Sequence, residues 1–162
     1  MMIRPLARSL FAFAVVVGAL ARVGLASAED TLVWISKSNG SLVTLAYGPV
    51  DPTKAPLFFL SCFNGMDVAV LDLHQDIAGA KPGEKLAIAL SAGTATASLD
   101  GETADANGAI FGEASDIKVK PVLAVLSEKG PVTVKMGEAT ATLAEQGRAD
   151  AVEKFAADCK LD

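Results

Sequence analysis

Short apolar, β-branched runs, cut by glycine turns about every ten residues, constrain this chain more than any other feature. "TLVWISKSNGSLVTLAYG" holds two such runs flanking the polar stretch Ser36–Ser41, which includes Asn39-Gly40. Asn-Gly between strands favours the positive backbone angles of a tight hairpin turn. "VDPTKAP" reads as a loop, because two prolines and an Asp-Pro step resist pairing. "LFFLSCF" and "MDVAVLDLH" read as strands parted by Asn64-Gly65, and "EKLAIALSA" and "TATASLD" as a pair across Ala92-Gly93. "GETADANG" reads as a polar loop, "AIFGEA" as a brief strand, and "PVTVKM" and "EATATLA" as a last hairpin around Gly137. Strands this short and this regularly spaced predict a mainly β domain, an all-β sandwich or barrel. Our reading is an antiparallel β-sandwich of short hairpins. The many Ala and Thr positions predict thin, closely approaching sheets.

Two stretches break the strand pattern. "KPVLAVLSEKG" places Val122, Leu123, Val125 and Leu126 at helical spacing, with Pro121 near a start and Gly130 past an end. It predicts a short helix, with a strand as the alternative. "RADAVEKFAADC" sets Val152, Phe155, Ala156 and Cys159 at i, i+3, i+4 and i+7, one face of a C-terminal helix over about 148–159. That face ends in a cysteine.

The chain opens with a basic stretch carrying Arg4 and Arg8, an apolar run from Leu10 to Ala21, and Ala26-Ser27-Ala28. A charged start, a short apolar middle and small residues at the end are the pattern of a cleaved signal peptide. Arg22 stops the apolar run short of the roughly 20 residues that span a bilayer. The expected organisation is a signal peptide at 1–28 and one domain at 29–162, exported to a bacterial periplasm or secreted. Removing 28 of the 162 residues takes three of the 14 Lys and Arg and none of the 19 Asp and Glu, so the formal charge falls from −5 to −8. An acidic surface without a Lys/Arg cluster disfavours nucleic acid and anionic lipid as partners. Protein partners are expected instead, with no membrane insertion after signal cleavage and no cofactor.

Two cysteines in an exported chain meet an oxidising compartment, where an even count implies a disulfide. No Cys-x-x-Cys is present to lower a thiol pKa, so the bond expected between Cys62 and Cys159 is structural. Cys62 lies in the most apolar strand, and Cys159 lies on the apolar face of the last helix. The bond would staple a terminus that otherwise frays.

Chemistry-bearing residues are few. His74 is the one histidine, with Asp72 two residues before it and Asp76 two after. Strand alternation would place all three on one face. They could then serve as a divalent metal site, or as base and orienting acid for a serine such as Ser61. The competing reading is a solvated strand end. "TADANGAIFGEA" matches a calcium loop at Asp105, Asn107, Gly108 and Ile110, but Thr103 and Ala114 stand where its terminal carboxylates belong. It reads as a polar turn.

A strand ending in Ser61-Cys62, a run of hairpins, and a closing hairpin leading through "AVEKFAADC" together resemble small exported two-cysteine β-sandwich proteins of proteobacteria. The type VI secretion-associated VasI-like proteins and the invasion-associated locus B group are similar in outline over about residues 57–159. The chain departs from them at Ser61, where an arginine is expected, and it lacks the extra cysteines of the invasion-associated group. The resemblance implies an envelope accessory or interaction role and carries over no active site. Three functions are weighed on these grounds. The first is a non-catalytic periplasmic or envelope accessory, or protein-interaction module. The second is a secreted inhibitor of a basic enzyme such as lysozyme, and the third a metal-binding protein using Asp72, His74 and Asp76.

Overall fold

The computed structural model describes residues 31–160, so the expected signal peptide at 1–28 lies outside the described residues. The strands are β1 (Leu32–Asn39), β2 (Leu42–Pro49), β3 (Phe58–Phe63), β4 (Val68–Leu73), β5 (Lys85–Ala92), β6 (Ala95–Ala106), β7 (Ala109–Lys118), β8 (Val132–Met136) and β9 (Ala139–Leu143). Helix α1 (Val119–Leu126) follows β7, and α2 (Arg148–Cys159) follows β9. All neighbouring strands are antiparallel, and they form one sheet in the order β1-β2-β3-β4-β7-β6-β5-β8-β9.

The mainly β, antiparallel expectation holds, while two separate stacked sheets are not what forms. One curled sheet takes their place, because β6 and β7 are long enough to serve two neighbours each. The first part of β6 pairs with β5 from Ala95 to Glu102, and the remainder pairs with β7 from Glu102 to Ala106. β7 in turn passes from β6 to β4, with a register shift between Ala69 and Leu71. Such staggered pairing is what curls a sheet toward a barrel. At the bend the backbones crowd: a Cβ on Gly101 would stand 2.5 Å from the Glu113 carbonyl oxygen. "GETADA" is therefore strand and not the polar loop its composition implies. Its backbone groups find partners on β7, which outweighs local propensity.

The first hairpin is tighter than the polar stretch implies. Asn39 pairs with Leu42, so β1 runs through Ser36–Asn39 and the turn is Gly40-Ser41, with Gly40 at φ 63°.

The inner side of the curl holds the core. Leu45, Phe58, Leu60, Leu71, Leu90 and Leu143 are fully buried there. α1 buries Val119, Val122, Val125 and Leu126 against β5 and β6, so the helical alternative for this segment is the one observed. α2 buries Ala151, Val152, Phe155 and Cys159, close to the face expected from the sequence. This helix runs alongside β1: Trp34 Nε1 donates to the Ala144 carbonyl at one end, and Ser38 Oγ donates to Asp158 at the other. An edge strand is thereby covered. Cys62 and Cys159 form a disulfide with Cα atoms 6.3 Å apart, joining β3 to the last turn of α2. Among the described residues no helix is long and apolar enough to cross a membrane.

Candidate functional site

The residues singled out from the sequence do not gather into a metal or catalytic centre. Asp72 lies on β4 and faces outward, directly opposite Glu113 of β7. His74 follows the end of β4; its backbone N–H donates to the Leu57 carbonyl, and its half-buried ring stacks on Phe111 with centroids 4.6 Å apart. Burial lowers its pKa. The solvated strand end expected at His74 is thus corrected to a packed imidazole. Asp76 is exposed beyond the strand end, where alternation no longer operates. Among the described residues no three His, Cys, Asp or Glu side chains converge on a point that could hold a metal ion. Ser61 pairs with Val70, four strand positions from Leu57, which puts it roughly 13 Å along the strand from His74. It is out of reach of that base.

The stretch compared with a calcium loop is the β6–β7 hairpin. Ala106 pairs with Ala109, leaving a two-residue turn of Asn107 and Gly108 at φ 56° and 84°. Asp105 Oδ1 accepts a 3.4 Å hydrogen bond from the Gly108 N–H, so the carboxylate closes the turn.

The outward face of β1–β4 is the distinctive surface. Strand alternation sends Leu45, Leu60 and Leu71 inward and leaves Ile35, Ala46, Phe59 and Val70 half-buried on the other side. Register aligns them in rows across the strands. One row is Asn39, Leu42 and Phe63; the next is Lys37, Thr44, Ser61 and Val70; the third is Ile35, Ala46, Phe59 and Asp72. Phe63 and Met66 are 56% and 50% exposed at the adjoining hairpin tip. That tip is held rigidly: Cys62 carries the disulfide, and the Gly65 N–H donates to the Cys159 carbonyl at 2.9 Å.

The other half of the sheet presents different chemistry outward. There the rows carry Thr96, Ser98, Asp100 and Glu102 of β6 against Ser91, Ala89, Ala87 and Lys85 of β5. They continue through Thr133 and Lys135 of β8 to Thr142 and Thr140 of β9. One face of a sheet normally carries polar residues of this kind toward water. The β1–β4 half mixes such residues (Lys37, Thr44, Ser61 and Asp72) with Ile35, Leu42, Phe59, Phe63 and Val70.

Between the two halves runs an acidic row. Asp72 pairs with Glu113, and Glu113 with Glu102. Like charges directly opposite destabilise a sheet. Burial, and then Glu113, raise the Asp72 pKa to about 6, and Asp72 Oδ1 is buried without a hydrogen-bond partner. Glu113 accepts a hydrogen bond from Ser115 Oγ, and Glu102, Asp100 and Lys85 line the adjacent shallow cleft of about 670 Å³. Sequence reasoning missed Glu102 and Glu113, because only cross-strand register brings them to Asp72. Phe59, Phe63, Val68 and Val70, apolar residues on the outward side of "LFFLSCF" and "VAVLDL", were the signal for the outward face.

Comparison with protein-family models, with curated proteins and with solved structures finds no match to this chain.

Proposed function

We propose that this chain is an exported, non-catalytic protein-interaction module of a bacterial envelope, docking through the outward face of β1–β4. One observation carries the reading: the outward positions of β1–β4 set Ile35, Leu42, Phe59, Phe63 and Val70 among their polar residues, where the outward rows of β5, β6, β8 and β9 hold Ser, Thr, Ala and charged residues. Phe63 and Met66, exposed at the hairpin tip beside this face, are large apolar side chains left open to solvent, as sites of association present them. The disulfide and the signal-peptide pattern support an oxidising, extracytoplasmic setting. The implied relation to small exported two-cysteine envelope proteins agrees with that setting. A photo-crosslinking residue placed at Phe63 in the expressing bacterium should form a covalent adduct with another protein chain. The same residue at Lys135, on the polar half, should not. Failure at both positions would overturn the docking reading.

A second reading, an inhibitor of a basic enzyme, draws support from the row Asp72, Glu113 and Glu102, whose mutual repulsion a cationic partner would relieve. Hen lysozyme retained on the immobilised mature protein at low salt, but not on Glu113→Lys, would favour it. Equal retention by both would remove it.

A further inference from the structure

We infer that Asn64 is a latent deamidation site, held closed by the Cys62–Cys159 disulfide, and that Asn39 is an open one. Every asparagine in the chain, Asn39, Asn64 and Asn107, is followed by glycine. In such a pair the glycine nitrogen attacks the asparagine Cγ, because no Cβ stands in its way. The N–Cγ bond forms as the Cγ–Nδ2 bond breaks, and ammonia leaves with the proton of the attacking amide. Water then opens the succinimide ring at either carbonyl, leaving aspartate or isoaspartate. An N–H that already donates a hydrogen bond is held away from Cγ and keeps its proton, so the fold sets the rate at each pair.

All three pairs are exposed at hairpin tips, and they differ in what holds the glycine nitrogen. The Gly65 N–H donates to the Cys159 carbonyl at 2.9 Å, and the Asn64 N–H to the Ser41 carbonyl at 2.8 Å. Cys159 is itself bonded to Cys62, on the strand that leads into this tip. The pair is therefore fixed for as long as the last turn of α2 is fastened. The Gly108 N–H donates to Asp105 Oδ1 at 3.4 Å, within its own hairpin. Among the described residues nothing accepts from the Gly40 N–H. Thiol–disulfide exchange with an external dithiol leaves the two cysteine thiols and an oxidised reagent. The end of α2 then keeps the exposed hydrogen bond from Ser38 to Asp158, for which water competes. It frays as chain ends do, and the Gly65 nitrogen is released. Hydrolysis is irreversible, so a carboxylate between Phe63 and Met66 would record any period spent reduced.

The test incubates the oxidised mature protein in mildly alkaline buffer and reads amide-to-acid conversion at each asparagine by peptide mass mapping. Asn39 should convert, and Asn64 at least about tenfold more slowly, since freeing Gly65 requires local opening. Protein kept reduced by a dithiol should convert Asn64 at least about fivefold faster than oxidised protein, with Asn107 unchanged. Asn107 closes the β6–β7 hairpin, whereas α2 packs mainly on β1, β2 and α1, so Asn107 reports loss of the fold as a whole. An intact Asn39, or an Asn64 that keeps pace with it in oxidised protein, would overturn the inference. So would an Asn64 indifferent to reduction, or one that accelerates only in step with Asn107.

Discussion

Trp34 donates its indole N–H to the carbonyl of Ala144 at 2.7 Å, tying the first strand to the residue just past the last one. These residues stand at opposite ends of the sheet order, so their bond draws the two edges of the curl together. The indole also packs on Tyr47 and Phe58, with ring centroids 4.9 and 5.6 Å away.

Trp34→Phe keeps an aromatic ring in place and removes the donor. Ala144 is exposed, so water can replace the donor and the lost hydrogen bond costs about 0.5–1.5 kcal/mol, to which a smaller ring adds a packing loss. The urea midpoint should fall accordingly, with the slope unchanged. An unaltered midpoint would show that the edges are held together by other contacts.

Cys159→Ser should melt well below wild type. The disulfide spans a sequence separation of 97, and closing a loop of that size restricts the unfolded chain by up to about 4–5 kcal/mol in the chain-entropy model. Net stability of a domain this size is about 5–15 kcal/mol, so the loss is a large share. Oxidised protein unfolded in denaturant should show no titratable thiol. Two thiols would mean that the staple had not formed.

Arg148 is 2% exposed and acts as a bracket between the helices. Its Nε donates to the Leu126 carbonyl at 2.8 Å, and its terminal nitrogen donates to the carbonyls of Glu128 and Gly130. The first of these carbonyls ends α1, whose last turn carries no basic residue of its own, and the other two lie in the segment that follows it. Arg148→Met fills similar space but strands the acceptors, which should cost about 2–4 kcal/mol. Arg148→Lys, lacking the planar fork, should recover only part of it. Equal stability of all three proteins in chemical denaturation would refute this role.

Asp72 gives stability a defined pH dependence. Burial first, and Glu113 second, raise its carboxyl from 3.8 to about 6. Between about pH 4 and 6 the folded chain holds a proton that the unfolded chain has released. The stability this confers is complete below that window and is lost as pH rises through the folded value. Asp72→Asn should therefore raise the melting temperature at pH 7.5 and leave it nearly unchanged at pH 3.5. For a half-buried carboxyl that keeps some solvent, the gain at neutral pH is about 1 kcal/mol. A variant less stable than wild type at pH 7.5 would contradict the assignment.

Export predicts a defined N-terminus. Mass spectrometry of the product isolated from the bacterial envelope or medium should show Glu29 as its first residue, after cleavage at Ala28. A soluble, folded product retaining residues 1–28 would remove the extracytoplasmic assignment.

Local residue types determined the punctuation of this chain. Gly40, Asn107-Gly108 and Gly137 make the hairpin turns, because positive φ costs glycine and asparagine little. The spacing of Val152, Phe155 and Cys159 determined α2, because a helix repeats every 3.6 residues whatever it packs on. With an even cysteine count, that spacing also pointed the second cysteine at the core. Tertiary structure decided the rest. Glu102, Asp105 and their neighbours became strand only because β7 offers backbone partners, and Gly101 lets the two backbones approach where any side chain would collide. That crossing turned an expected pair of sheets into one curled sheet. Asp72, Glu113 and Glu102 are far apart in the chain and became neighbours through cross-strand register, a long-range property that local patterning does not encode. His74 looked solvated beside two aspartates, yet it packs on Phe111 because β7 runs past the end of β4. The outward face of β1–β4 mixes apolar residues such as Phe59 and Val70 with polar ones such as Lys37 and Ser61, so the sequence of each strand left its inner side open. Which side α2 fills was decided only in the tertiary structure, where the disulfide fastens it to the side bearing Cys62.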